Sequence, residues 1–179
     1  MNYKKLVGEK VYLSPVSHED WEILAKWGAD YELKFLYGGG DDSQPPQTDS
    51  SGAESRSKNK NQFAIIDKET DKIIGTCGFN IDDLANRYAK IGIGIGAKEY
   101  WSNGYGTDAL HVLLHFGFTV RGYNNISLNV YDYNPRAIAC YEKVGFKRQG
   151  VWRESMIRGE ERYDCIHLDY LAEEYFAKH

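Results

Sequence analysis

No stretch of this 179-residue chain approaches the ~20 consecutive apolar residues that a helical membrane span needs. The segment from Met1 to Glu9 carries two lysines but no apolar core of a secretory leader, so a cytoplasmic protein without a membrane partner is expected. Cysteine is scarce: Cys77, Cys140 and Cys165 are odd in number and far apart, with no C-x-x-C pair and no histidine at zinc-ligand spacing. That excludes a disulfide framework and a structural metal site, and leaves free thiols in a reducing compartment. The five histidines form no motif, and no basic patch is found. With 22 Lys and Arg against 26 Asp and Glu, the formal charge is -4 and the pI about 5.7. Long-range attraction for nucleic acid is therefore absent, and the acidic balance suits cationic substrates better. No internal repeat is present.

Hydrophobic residues make up 42% and charged residues 27%, values of a folded globular chain. The length accommodates one domain, read here as residues 1–179, which buries a core without staples. Val11 to Leu13 reads as a strand that stops at Pro15. Ser17 with Asp20 three residues on resembles a capping box, and Trp21, Leu24, Ala25 and Trp27 follow at helical spacing until Gly28. From Gly38 to Asn61 the composition turns to Gly, Ser, Asp, Gln, Pro and Asn, which predicts a long polar loop with a short helix at 53–58. Two apolar runs, 63–66 and 73–79, flank a charged turn and predict a hairpin. A strand over 88–96, a buried helix over 107–120, a strand over 126–130, a helix over 135–143 and a closing hairpin ending at 163–170 complete the order. This β-α-loop-β-β-β-α-β-α-β-β order predicts an α/β (α+β) fold with a mixed sheet packed by helices.

Two segments carry the chemistry. In Ile91-Gly92-Ile93-Gly94-Ile95-Gly96, strand alternation sends three isoleucines to one face and leaves the other without side chains. Each interior glycine costs ~0.5–1 kcal/mol, so a close approach is expected there, either of packed protein or of a ligand. The turn Trp101-Ser102-Asn103-Gly104-Tyr105-Gly106-Thr107 then opens a helix. Glycines that aim consecutive N–H groups inward, together with the helix N-terminus, suit a phosphate or diphosphate. Asp108 must point away from such an anion. Gly104 to Ala109 also fits the dinucleotide fingerprint G-x-G-x-x-A, although it lies mid-chain behind hairpins rather than after a first strand. Further on, Asn134 to Phe146 reads as an Asn cap, Pro135 at the first helical position, and Gly145 at the helix end. Tyr141, two turns after Asn134, shares its face; a half-buried packing role is the alternative for it.

Together these segments resemble the GNAT superfamily of acyl-CoA-dependent N-acyltransferases. Gly104-Tyr105-Gly106-Thr107 is similar to the family's Q/R-x-x-G-x-G/A diphosphate loop, and Asn134 to Phe146 to its N-x-x-A-x-x-x-Y-x-x-x-G-F segment. The run from Tyr100 to Ala109 most resembles the branch of ribosomal-protein N-terminal and spermidine acetyltransferases. The resemblance implies a mostly antiparallel seven-stranded sheet, splayed in the middle, with helices on both faces. It implies that acetyl-CoA is the acetyl donor, held by Ile93, Gly94 and Ile95, by Trp101, Ser102, Asn103, Gly104, Tyr105, Gly106 and Thr107, and by Asn134, Ala137 and Tyr141. The oxyanion falls to a strand N–H around Ile93 to Ile95, and Tyr141 is the general acid toward the departing CoA thiolate.

Trp101 replaces the family's Gln or Arg and removes a polar contact, and Asn129 stands where ribosomal-protein alanine acetyltransferases carry a base Glu. The second-helix region is replaced by the polar run 38–61. Glu32 and Asp132, acting through water, are candidate bases. Trp27 is expected in the core, and Tyr31, Phe35 and Tyr37 are candidates to line an acceptor cleft or to pack structurally. Deprotonating an alkylamine of pKa about 10.4 at pH 7 costs about 4.6 kcal/mol, against about 1.4 kcal/mol for an α-amine of pKa about 8. A missing strong base matters less for the latter. The acceptor is a small-molecule or peptide amine; the sequence leaves the acceptor and the oligomeric state, a homodimer included, open. A non-catalytic acyl-CoA-binding or interaction module is the reading that Asn129 favours.

Overall fold

A computed structural model describes residues 6–38 and 61–178. The expected polar loop and the short helix at 53–58 lie almost wholly outside the described residues. The strands are β1 (Leu6–Val7), β2 (Val11–Pro15), β3 (Gln62–Asp67), β4 (Ile73–Asp83), β5 (Tyr88–Ile95), β6 (Asn125–Tyr131), β7 (Lys147–Arg158) and β8 (Glu161–Leu171). They form one sheet in the order β1-β2-β3-β4-β5-β6-β8-β7. The sheet is mixed and mostly antiparallel, as expected. It has eight strands rather than seven, because Leu6 and Val7 add a short strand against Leu13 and Tyr12. β5 and β6 are parallel, and their register covers only Tyr88, Ala89 and Lys90 against Asn125, Ile126 and Ser127.

The helices are α1 (Trp21–Ala29), α2 (Tyr31–Leu36), α3 (Tyr105–His115), α4 (Pro135–Val144) and α5 (Ala172–Phe176). Ser17 and Asp20 form the expected box, the Asp20 carboxylate accepting from the Ser17 N–H at 2.7 Å, but they cap a 3-10 turn that leads into α1. α2 is a helix that no apolar periodicity in the sequence predicts. Asp30 ends α1 in extended backbone and caps α2 by accepting from Leu33 N–H at 3.1 Å, so one residue closes one helix and opens the next. A second helix is therefore present, in place of the expected replacement by a polar run. α3 starts at Tyr105, two residues before its apolar periodicity, and passes after His115 into a π-helical turn over Phe116–Val120.

Two compact units divide these elements. The first contains residues 1–78 and 93–113; its core is built from Val11, Tyr12, Leu13, Leu33, Ala64, Ile65, Ile66, Ile74, Leu110 and Leu113. The second contains residues 79–92 and 114–179. Here alternation along β6 buries Ile126, Leu128 and Val130 and leaves Asn125, Ser127, Asn129 and Tyr131 half-buried on the opposite face. Phe118, Phe146, Tyr170 and Tyr175 add an aromatic cluster. The outermost strand, β7, is exposed along nearly all of its length. The three cysteines are free thiols, and burial pushes Cys77 and Cys165 up, so both are inert nucleophiles.

Candidate active site

In the first unit the glycine strand meets protein on its bare face. A Cβ on Gly94 would enter the Tyr37 phenol, and one on Gly96 the Trp27 indole. In the second unit a Cβ on Gly92 would stand 2.6 Å from the Asn80 amide nitrogen. The glycines thus accommodate packed side chains, which settles the two readings of this face in favour of packing. Trp27 packs against Gly96 but is half-buried and lines a cavity instead of joining the core, Tyr37 covers the strand, and Tyr31 is 71% exposed. Phe35 is half-buried.

Beyond β5, a 3-10 turn at Lys98–Tyr100 leads into the turn 101–104. Trp101 donates from Nε1 to Ile95 O at 2.8 Å, so the residue replacing the family's Gln or Arg pins the turn to its own strand. Ser102 and Gly104 have left-handed backbone, with φ of 61° and 84°. Asp108 N–H donates to Gly104 O, which begins the helical ladder and leaves the amides of Tyr105 and Gly106 ahead of it. A Cβ on Gly104 would meet nothing within 4 Å, and one on Gly106 only Ile95 at 3.7 Å. This is an open, amide-lined turn at the head of an eleven-residue helix, and it fits a diphosphate. Lys10 donates to Asn103 O at 2.9 Å and lies 5.2 Å over the Tyr105 ring, adding a cation beside the turn. Asp108 points away, as expected: its carboxylate accepts from the N–H groups of Glu9, Lys10 and Val11 at 3.0, 2.8 and 2.9 Å.

The same unit contains a cavity of ≈ 800 Å³ between α1, the β3–β4 turn and residues 96–100. Glu19, Asp20, Asp30, Asp71 and Glu99 are among its lining residues, with Lys72 and Lys98. Lys98 pairs with Asp30 at 2.8 Å and with Glu32 at 2.7 Å. The hydrogen bond to Asp30, then that to Glu32, holds the Lys98 ammonium above the usual lysine range. Its counterpart lowers the Asp30 carboxyl. Glu32, a candidate base, is thus tied to a cation.

In the second unit α4 begins as its sequence predicts. Asn134 Oδ1 accepts from Ala137 N–H at 3.1 Å, Pro135 occupies the first turn, and Gly145 ends the helix at φ 130°. A Cβ on Gly145 would collide with the Tyr170 ring, so both dihedral and space require glycine. Tyr141 is half-buried, its ring centroid 6.1 Å from that of Phe146. Asp132 is exposed in the turn after β6, its N–H bonded to Asp164 O. The base-position residue Asn129 has unforeseen neighbours: its side chain sits between Lys90 Nζ and His167 Nδ1, each at 3.0 Å. His167 is the register partner of Asn129 on β8. Burial first, and Lys90 second, lower the His167 pKa, keeping the imidazole neutral at pH 7. Neither Lys90 nor His167 was a sequence candidate; the available signal was polar residues alternating with apolar ones on two strands. Among the described residues no cluster of His, Cys, Asp and Glu could hold a metal.

The sequence profile of the acetyltransferase (GNAT) domain matches residues 10–147. An uncharacterized N-acetyltransferase of Bacillus licheniformis, p20, is 32% identical over 159 residues, covering 83% of this chain and 85% of its own length. A second uncharacterized N-acetyltransferase, YoaA of Bacillus subtilis, is 30% identical over 103 residues, covering 58% of each chain. Among solved structures, a spermidine N-acetyltransferase from Vibrio cholerae in complex with CoA and spermine superimposes with TM-score 0.82 at 19% identity, covering 93% of this chain and 98% of that one. A GNAT-family acetyltransferase from Bacillus anthracis gives 0.79 at 19% identity, covering 94% and 98%. The fold and the two motifs therefore define an acyltransferase of the N-acetyltransferase type. The chain belongs to the GNAT acetyltransferase family.

Proposed function

We propose that this protein transfers the acetyl group of acetyl-CoA to a primary amine of a small molecule or peptide by direct attack. The observation that carries the donor assignment is the open turn at Ser102–Gly106, with two left-handed residues, unobstructed space at Gly104 and a helix N-terminus behind it. Its amides and the nearby Lys10 bind the diphosphate. When bound, acetyl-CoA supplies an acetyl group activated as a thioester. The backbone of Ile93 to Ile95 orients the pantetheine and provides an N–H for the developing oxyanion. Asn134 and Ala137 position the start of α4, and Tyr141 Oη holds the proton that the CoA sulfur takes on leaving. A phenol of pKa about 10 against a thiol of about 8.5 makes this partial transfer through a strong hydrogen bond.

The acidic cavity beside α1 supports an amine acceptor, because five carboxylates against two lysines favour a cation. Glu32 and Asp132 are the candidate bases; Glu32 must release Lys98 to take up a proton. Residues 1–179 are read as one acetyltransferase domain, since the family match spans parts of both units. Release of CoA from acetyl-CoA, measured with a panel of peptide, polyamine and aminoglycoside amines, tests the assignment. Loss of the acidic limb of the pH–rate profile in Glu32→Gln or Asp132→Asn identifies the base.

A further inference from the structure

Strand β5 ends with its last residue tied to the turn that follows. Gly96 and Ala97 both donate to Ile74 O, at 2.9 and 3.1 Å, which closes the pairing with β4. Successive residues of a strand turn their backbone groups to opposite edges, so the N–H and C=O of Ile95 point away from β4. That carbonyl accepts from Trp101 Nε1 at 2.8 Å. The far end of the turn meets the same residue, since a Cβ on Gly106 would stand 3.7 Å from Ile95 Cγ1. Ile95 thus adjoins the turn at residues 101 and 106.

The indole is itself held in place. It is half-buried, and Lys98 Nζ lies 5.9 Å over its ring while pairing with Asp30 and Glu32. Other anchors of the turn lead elsewhere. Lys10 bonds Asn103 O, and Asp108 accepts from the amides of residues 9–11, which fixes the turn to the start of β2. Asn103 Nδ2 donates to Glu99 O at 3.3 Å, within its own approach. The Trp101 bond joins the turn to β5. This matters for a ligand that engages strand and turn at once. The second contact of such a ligand forms at high effective concentration, but only when the spacing of the two sites matches its length.

We propose that Trp101 is a positioning residue that sets the spacing between the strand backbone at Ile93–Ile95 and the diphosphate turn, so that one donor molecule engages both. This inference rests on the acetyl-transfer reading above and deepens its donor site. Trp101 then acts through Ile95 and not by touching the ligand, and its loss should penalise only a donor that has both ends.

The test uses ligands that carry one end or both. CoA spans the two sites, ADP carries the diphosphate alone, and S-acetylpantetheine carries the thioester arm without the diphosphate. Trp101→Phe keeps a ring and removes the N–H. Trp101→Gln supplies an N–H donor at a similar reach. Calorimetric titration should show CoA bound about tenfold more weakly by Trp101→Phe than by the wild-type protein, with ADP changed by less than about twofold and CoA affinity largely restored in Trp101→Gln. Retained ADP binding also shows that the turn of the variant is folded. With an amine acceptor, kcat/KM should fall about tenfold for acetyl-CoA and stay unchanged for S-acetylpantetheine. Equal losses for CoA and ADP would make Trp101 a support of the turn alone, and equal losses for the two acetyl donors a support of the strand alone. Either result, or CoA affinity unchanged in Trp101→Phe, overturns the inference. If the binding pattern holds but no amine releases CoA from acetyl-CoA, the acetyl-transfer reading fails and the role of Trp101 stands. A wild-type protein that binds no CoA overturns both.

Discussion

The Tyr37 phenol lies where a side chain on Gly94 would stand. Strand and aromatic ring share one volume, so an alanine at Gly94 requires the Tyr37 ring to shift. Gly94→Ala should destabilise the protein by about 1–3 kcal/mol through overpacking. In the Tyr37→Ala background the same change should cost much less, because the two sites share one volume. Urea unfolding of the four proteins in this cycle measures the coupling; additive losses would show that Tyr37 and Gly94 do not compete for space.

Asp108 ties the helix that follows the diphosphate turn to the start of β2 through three backbone amides. Asp108→Ala should cost about 1–3 kcal/mol by removing a charged acceptor shared by three amides, and Asp108→Asn less, since one acceptor oxygen remains. Affinity for CoA should fall with Asp108→Ala as the turn loses its anchor. Denaturant unfolding and calorimetric CoA titration check the pair.

Much of this architecture was legible beforehand because local chemistry dictated it. Asn134, Pro135 and Gly145 delimit α4 by capping and dihedral requirements alone, and the Ser17–Asp20 box marks the approach to α1. α2 escaped notice because six residues carry too few apolar positions to set a period, and because Asp30 serves two helices at once. The glycine strand requires a close neighbour by its composition alone. The identity of that neighbour, Trp27 and Tyr37 from α1 and the turn after α2, depends on tertiary packing that no spacing encodes. The Lys90–Asn129–His167 triad was hidden for a related reason: its members lie on three strands, and only the register of β6 with β8 places Asn129 opposite His167.

Tyr141→Phe removes the phenolic proton while keeping the ring against Phe146. Turnover should fall by about 10- to 100-fold with little change in affinity for acetyl-CoA. Steady-state kinetics with a direct binding titration separates the two effects, and an unchanged kcat removes Tyr141 from the chemistry.

His167 links stability to pH. Its pKa is lowered in the folded state, by burial and then by Lys90, from an ordinary value of 6.5. Between that value and the lower folded one, the unfolded chain binds more protons, so this contribution is full above pH 6.5 and is lost as pH falls through the folded pKa. Urea unfolding at pH 7.5, 6.5 and 5.5 should show a decline that His167→Gln flattens. Equal slopes in the two proteins would exclude His167 as the source.

If the amide-lined turn and the residues around it serve acetyl transfer to an amine, CoA is released only when an acceptor is present. The most direct measurement is free CoA formed when the purified protein, acetyl-CoA and each amine are incubated together. CoA release should depend on the acceptor and be matched by acetylated amine in equal amount. Acetyl-CoA left intact with every peptide, polyamine and aminoglycoside amine would contradict it.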